Sequence, residues 1–109
     1  MEKTIESKIR YHQLYDCYGT LLTEKQKTAF EYYYLDDYSL SEIAELLSVS
    51  RNAVYEQITI ATNYLDDYES KLHLLEKNQL IESLINSVRE LDSLPKELEP
   101  ILKKLETWE

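Results

Sequence analysis

The residue types that most often carry chemistry are few and scattered in this sequence. Cys17 is the only cysteine, and the two histidines, His12 and His73, lack the His-x-x-x-His or Cys-x-x-Cys spacing of a metal site. Two pairs of adjacent carboxylates, Asp36-Asp37 and Asp66-Asp67, lie in repeated Tyr-Leu-Asp-Asp-Tyr strings, but neither has a third oxygen ligand at a fixed spacing. The sequence therefore predicts no catalytic residue, no metal ion and no cofactor, and it favours a protein that is not an enzyme.

Glycine and proline are almost absent, which limits both chemistry and fold. Gly19 is the single glycine, so no glycine-rich loop can hold a nucleotide phosphate. Both prolines, Pro95 and Pro100, lie near the end of the chain, and nothing before them strongly interrupts a helix. We therefore expect an all-helical protein, with one compact domain and an extension in its 109 residues.

Apolar spacing and capping signals predict four helices in residues 4 to 75. The first, over 4 to 22, has an inner face formed by a heptad-like set: Tyr11, Leu14, Tyr15, Tyr18 and Leu22. Thr23 with Gln26, and Ser39 with Glu42, have the spacing of capping boxes that open the second and third helices. Ser50 is the predicted N-cap of the fourth helix.

Apolar spacing also predicts which residues of the second, third and fourth helices face the core. The second helix carries Phe30, Tyr33 and Tyr34, and the third carries Leu40, Ile43, Ala44 and Leu47. Val49 is expected to plug the turn that follows. On the fourth helix an apolar seam alternates spacings of four and three through Val54, Ile58, Ala61, Leu65, Tyr68, Leu72 and Leu75.

Beyond residue 75 the apolar pattern loses phase, and we expect a kink or break over 76 to 80. It resumes as Ile81, Leu84, Ile85, Val88 and Leu91, and Leu94-Pro95 is expected to end that helix. A last amphipathic stretch carries Leu98, Ile101, Leu105 and Trp108. The predicted organisation is a helix-turn-helix domain over 1–75, with the motif at 39–64, and a C-terminal helical extension over 76–109 that packs or dimerises.

The charge balance is acidic where a nucleic-acid reader would be basic. The chain has 12 Lys and Arg against 21 Asp and Glu, a net charge of −9, and residues 23 to 75 have four basic residues against ten acidic ones. Since Lys and Arg supply most non-specific affinity for phosphates, this composition weakens DNA binding and suits a basic protein partner. The charged first twenty residues indicate neither a signal peptide nor a membrane segment, and we expect a cytosolic protein without membrane insertion.

The segment around the predicted turn resembles region four of sigma factors, the promoter-reading helix-turn-helix. The resemblance covers 22 to 65 and rests on these positions: Leu22, Thr23, Gln26, Ser39, Glu42, Ile43, Ala44, Val49, Ser50, Val54, Ile58, Ala61 and Leu65. The fold it implies is a sigma-region-four-like core with a long fourth helix and a C-terminal helical extension. By that resemblance, DNA is contacted by residues at the start of the fourth helix: Ser50, Arg51, Asn52, Tyr55, Glu56 and Thr59.

The whole chain also looks like the YlxM family of small bacterial proteins. The similarity lies in the Tyr18-Gly19 step, the Tyr-Leu-Asp-Asp turn, the strings around Val49-Ser50-Arg51 and Ala53-Val54-Tyr55, and the run from Asp67 to Leu72. This family is described as DNA-binding regulators whose genes neighbour those of the signal recognition particle. The resemblance thus implies a regulatory protein acting in that targeting pathway.

Two functions remain open at this point. One is a DNA-binding regulator, acting as a homodimer. The other is a protein-interaction module that uses the same scaffold to bind signal recognition particle proteins. The second is favoured by a partly apolar stripe off the seam, formed by Ala53, Gln57, Ile60 and Tyr64, and the candidate partner interface is Ile60, Tyr64, Leu72 and Leu75.

Overall fold

The computed structural model describes residues 3 to 108 and contains six α-helices and no strand within that range. The helices are α1 (Ile5–Tyr18), α2 (Glu24–Phe30), α3 (Leu40–Leu47), α4 (Arg51–Leu72), α5 (Leu74–Arg89) and α6 (Glu99–Glu106). The all-helical prediction is confirmed. No helix of the described residues is both long enough and apolar enough to cross a membrane.

The predicted starts of α2, α3 and α4 are observed with their capping hydrogen bonds. Thr23 and Gln26 form a complete capping box at α2, as do Ser39 and Glu42 at α3. The Ser50 hydroxyl accepts a hydrogen bond from the Ala53 N–H over 3.0 Å and opens α4. Each cap pairs backbone groups that the first turn of a helix leaves without a partner.

Two local features depart from regular helix. Helix α1 ends at Tyr18, four residues before the end predicted at residue 22, and a 3₁₀ turn over Gly19–Leu21 follows it. The chain continues from α2 as a π-helical segment over Glu31–Leu35. Gly19 has an ordinary helical φ of −55°. It is required instead by close approach, because a Cβ there would lie 2.9 Å from the Tyr15 ring.

The chain divides into two compact units, residues 1–73 and 74–109. In the first unit, α1 to α4 surround a core that contains most of the residues predicted to be inside. Fully buried large side chains are Leu14, Tyr18, Phe30, Ile43, Val54, Ile58 and Leu65. The predicted inward orientation of Val54 and Ile58, with Arg51 and Asn52 in solvent, is confirmed.

Tyrosines link α1 to its neighbours. The Tyr11 hydroxyl donates to Asp66 over 2.7 Å, and the Tyr18 hydroxyl donates to Glu69 over 2.6 Å, so α1 is tied to α4 along two turns. Burial, followed by the bond to Asp66, raises the pKa of Tyr11 to about 12. These contacts hold α1 against the side of α4 that carries Asp66 and Glu69.

The two Tyr-Leu-Asp-Asp-Tyr strings have different structures. Asp37 lies in a turn, with a left-handed φ of 60°, whereas Asp66 and Asp67 lie within α4. Asp37 is paired with Lys3 and Lys8. Hydrogen bonds from the ammonium groups of Lys3 and Lys8 hold the pKa of Asp37 below its usual range.

The predicted break in the second half of the chain is displaced. α4 ends at Leu72 because His73 adopts a left-handed φ of 55°, and α5 then runs without interruption through residues 76 to 80. The expected break over 76–80 is therefore wrong. The apolar seam that begins at Val54 stays on α4 as far as Leu72, and Leu75 belongs to α5. Helix α5 also ends at Arg89, five residues before Leu94.

The second unit consists of α5, α6 and the segment between them. Pro100 lies in the first turn of α6, as expected. The predicted inner face of this last helix is wrong: Leu102 is buried, whereas Ile101 and Trp108 are 56% and 72% exposed. Arg89 bonds both Glu99 and Glu106, at 2.8 and 2.6 Å, and this ion pair joins the two helices.

Candidate helix-turn-helix interface

The turn between α3 and α4 has the hydrogen bonds of a Schellman motif. The Ser48 N–H bonds to the Glu45 carbonyl at 3.3 Å, and the Val49 N–H bonds to the Ala44 carbonyl at 3.1 Å. Ser48 itself takes a left-handed φ of 55°. With Ser50 capping α4, this tight connection sets α4 at an angle to α3, as a helix-turn-helix requires.

The start of α4 presents a polar surface to solvent. Of the predicted DNA contacts, Ser50, Arg51, Asn52, Tyr55 and Glu56 are exposed and lie within the first two turns. The structure thus brings these five together on the outer side of the helix. Their role in binding stays a prediction.

Thr59, the sixth predicted contact, is placed differently. Its side chain is partly buried, and its Oγ1 is enclosed and makes no hydrogen bond. The hydroxyl is therefore not presented to a base edge in this conformation. The sequence could not show this, because a Thr two turns from the cap suits either side of the helix.

Ion pairing decides which cations of the first unit are available. Its described basic residues are seven, and five of them pair with carboxylates: Lys3, Lys8, Arg10, Lys27 and Lys71. Arg51 and Lys25, which is exposed in the first turn of α2, make no ion pair among residues 3 to 108. Lys25 was missed as a candidate contact, because only the pairing of the other cations distinguishes it.

A groove opens beside α4, between that helix, α2 and the turn after α3. It encloses about 420 Å³. Its lining is mostly apolar and consists of Glu24, Lys25, Thr28, Ala29, Leu47, Val49, Ala53, Val54 and Gln57. Lys25 thus lies at the edge of an apolar groove. One wall of this groove is formed by the first turns of α4, the candidate DNA-reading helix.

The groove exists because two predicted core residues are not buried. Val49 was expected to plug the turn but is 47% exposed, and Leu47 was expected on the inner face of α3 but is 36% exposed. Both predictions are wrong. The Schellman turn directs Val49 along the surface, and Ile43 and Val54 fill the core in its place.

The second stripe of α4 is partly covered. Ala53, Gln57 and Ile60 are half-buried, and Tyr64 is 47% exposed and stacks on Tyr68 with ring centroids 6.1 Å apart. Among the other predicted interface residues, Leu72 is exposed and Leu75 is half-buried, and they belong to different helices. A partner for this set remains a prediction.

The histidines, the cysteine and the carboxylates were the sequence's candidates for metal ligands. No cluster of three or more His, Cys, Asp or Glu side chains able to hold a metal is found in the described residues. His12 is exposed on α1, and Cys17 is half-buried on the same helix.

Comparison with known proteins places this architecture in a family. A family model, UPF0122, described as "Putative helix-turn-helix protein, YlxM / p13 like", matches residues 5–105. The UPF0122 protein YlxM of Bacillus subtilis is 45% identical over 106 residues, which cover 97% of this chain and 96% of that protein. A UPF0122 protein of Staphylococcus epidermidis is 42% identical over 101 residues, covering 93% and 92%. A relative from Lactococcus lactis is 48% identical over 85 residues, covering 74% and 77%. The chain therefore belongs to the UPF0122 family of YlxM- and p13-like helix-turn-helix proteins.

Proposed function

We propose that this protein is a DNA-binding regulator that inserts the start of α4 into the major groove. One observation supports this most directly: Arg51, Asn52, Tyr55 and Glu56 project into solvent from the first turns of a helix anchored by the buried Ile58. A recognition helix uses its N-terminal residues in this way. A DNA target implies action in the cytoplasm.

The exposed side chains suit base edges better than they suit phosphates. An Arg donates to guanine, an Asn pairs with adenine, and a Glu accepts from cytosine. With Arg51 at a base edge, Lys25 is the cation of the described part of the first unit that is left without an ion pair to meet a phosphate. With one such contact, the logarithm of affinity should fall with the logarithm of salt at a slope of about −1 per copy, which is shallow for a DNA-binding protein.

Fluorescence anisotropy with a labelled duplex, at low and moderate salt, tests this proposal. Binding should weaken with salt at the shallow slope above, and Arg51→Ala should weaken it about tenfold, since a lost bidentate contact costs about 1–3 kcal/mol. The matched control is Lys104→Ala, which removes one exposed cation from α6. No binding at either salt would refute the proposal, and equal losses in both variants would mean that α4 is not the reader.

A protein-interaction module on the same scaffold is the second candidate function. It is favoured by the groove, by the exposed apolar residues Leu46, Leu47 and Val49 around it, and by the acidity of the first unit. Such a surface suits a basic protein with an apolar anchor residue. The family resemblance suggests proteins of the signal recognition particle as that partner.

Titration of the purified protein components of the particle separates this function from DNA binding. Val49→Asp should weaken the complex if the groove holds the partner, and Ile60→Asp should do so if the second stripe holds it. Ile9→Asp, at a 54% exposed site on α1, is the control. Full affinity in both test variants would exclude both surfaces, and DNA binding measured in the same variants shows which ligand each surface serves.

The regulator we propose acts as a homodimer, so that two copies of α4 reach successive major grooves. Dimeric helix-turn-helix proteins read half-sites about 34 Å apart in this way. We place the interface between the two copies in the second unit.

A further inference from the structure

The second unit has too small a core for its apolar content. Among residues 74 to 108, Ile85 and Leu102 are its only large apolar side chains with less than a tenth of their surface exposed. Many others lie mainly in water: Leu74, Leu80, Leu84, Leu91, Ile101 and Trp108 are 40% to 72% exposed. A unit of fewer than about 40 residues seldom holds its fold without additional support.

The exposed residues are not scattered. On α5, Leu80 and Leu84 are spaced i, i+4, and Ile81 lies three residues before Leu84, so the three share one side of the helix. On α6, Ile101 and Leu105 are likewise spaced i, i+4, and Trp108 lies two residues beyond the end of that helix. On each helix the exposed apolar residues extend the side that is partly buried, since Ile81 lies four residues before the buried Ile85 and Leu105 lies three residues after the buried Leu102.

The polar contacts of this unit leave those faces uncovered. The ion pairs of Arg89 with Glu99 and Glu106 connect the helices. The hydrogen bond from the Arg89 guanidinium holds the pKa of Glu106 below its usual range. Covering the apolar faces requires another layer of protein.

We propose that this layer is the same unit of a second copy, so that α5 and α6 of two chains form a four-helix bundle. Covering Leu80, Ile81, Leu84, Leu91, Ile101 and Trp108 would remove on the order of 600 Å² of apolar surface per copy, near the roughly 800 Å² per partner of a stable interface. A second copy supplies the same apolar face, and a two-fold axis pairs the face with itself. The proposal does not depend on DNA binding.

Light scattering of the full chain at tens of micromolar, without nucleic acid, tests this interface. The wild type should have twice the chain mass, and Leu84→Glu should halve it. The matched control is Leu46→Glu, at a 56% exposed leucine in the first unit, compared with 58% for Leu84. The control should remain dimeric.

Salt separates this dimer from a complex with an oppositely charged partner. Both copies are acidic, with a net charge of −9 each, so screening should strengthen self-association. DNA binding by the same protein should weaken with salt. Failure of DNA binding with an intact dimer would therefore refute the proposed function and leave this inference standing.

Crosslinking keeps the proposal testable if Leu84→Glu unfolds the unit. In a Cys17→Ala background, Leu84→Cys should form an inter-chain disulfide under mild oxidation, and Leu46→Cys should not. A wild type of monomer mass would overturn the proposal, as would a dimer that survives Leu84→Glu with its helicity intact. Crosslinking through residue 46 alone would place the interface elsewhere and would also overturn it.

Discussion

Replacing Lys3 with methionine should test how the entry to the helix-turn-helix is held. The Lys3 ammonium donates to the carbonyl oxygens of Tyr33 and Tyr38, each at 3.1 Å, and lies 4.1 Å from the centroid of the Tyr33 ring. It also pairs with Asp37 at 3.1 Å. These contacts close the chain between the π-helical segment and α3. Methionine keeps a long apolar side chain and removes every donor.

We expect this substitution to lower the free energy of unfolding of the first unit by about 2 kcal/mol. The Lys3 side chain is 19% exposed, so water can partly replace it, and each carbonyl contact contributes about 0.5–1 kcal/mol rather than the full value of a charged hydrogen bond. The contact with the Tyr33 ring adds about 0.5–1 kcal/mol. The ion pair adds little, because Asp37 is 64% exposed and screened by solvent.

The two units can be followed separately during urea denaturation. All ten tyrosines lie in the first unit, and the single tryptophan, Trp108, lies in the second. The midpoint of the tyrosine near-ultraviolet circular dichroism should fall in Lys3→Met, while the tryptophan fluorescence transition should not move.

Lys8→Met is the control for this experiment, because Lys8 reaches Asp37 but no backbone carbonyl. Its loss of stability should be much smaller than that of Lys3→Met. Equal losses in the two variants would refute the reasoning, since the carbonyl contacts would then contribute nothing beyond the shared ion pair.

Three further predictions concern packing and pH. Gly19→Ala should destabilise the first unit by about 1–3 kcal/mol, because the new methyl group would lie 2.9 Å from the Tyr15 ring; urea denaturation measures this, and an unchanged midpoint would contradict it. Ile58→Ala should cost about 2–5 kcal/mol and Ile58→Val about 0.5–1.5 kcal/mol, since this side chain is fully buried; equal losses would show that the site collapses around the cavity. The second unit should lose stability as the pH falls from the ordinary glutamate pKa through the lowered pKa of Glu106. The reason is that Glu106 forms the ion pair with Arg89 only when its carboxylate is ionised. Tryptophan fluorescence should show this acid transition, and Glu106→Gln should flatten it; a variant with the same pH dependence would contradict the assignment.

Sequence reasoning succeeded where local chemistry decides the structure. The capping pairs Thr23–Gln26 and Ser39–Glu42 form within four residues, so their hydrogen bonds do not depend on the rest of the fold. The period of α4 likewise places Val54 inside and Arg51 outside. These signals predicted the helix-turn-helix and the surface it presents.

Sequence reasoning failed where apolar residues exceed the space available inside. Leu47 fits the inner period of α3 and Val49 was expected to plug the turn, yet the core is closed by Ile43 and Val54 and leaves both residues on a groove. The same applies to Ile101, whose place inside the short second unit is taken by Leu102. Periodicity identifies apolar residues, but it does not count how many of them a small core can enclose.

The sequence by itself determined the helical class, the starts of α2, α3 and α4 and the outward position of Arg51, because caps and periodicity act over a few neighbouring residues. Only the tertiary structure decided which cations are free, since Lys3 and Arg10 meet their carboxylates across 34 and 56 positions of the chain. It also decided the end of α4, where His73 takes the left-handed conformation. That conformation is usually marked in a sequence by a glycine, and none stands there. Long-range pairing and the limited volume of the core are properties of the folded chain as a whole, and a local pattern contains neither.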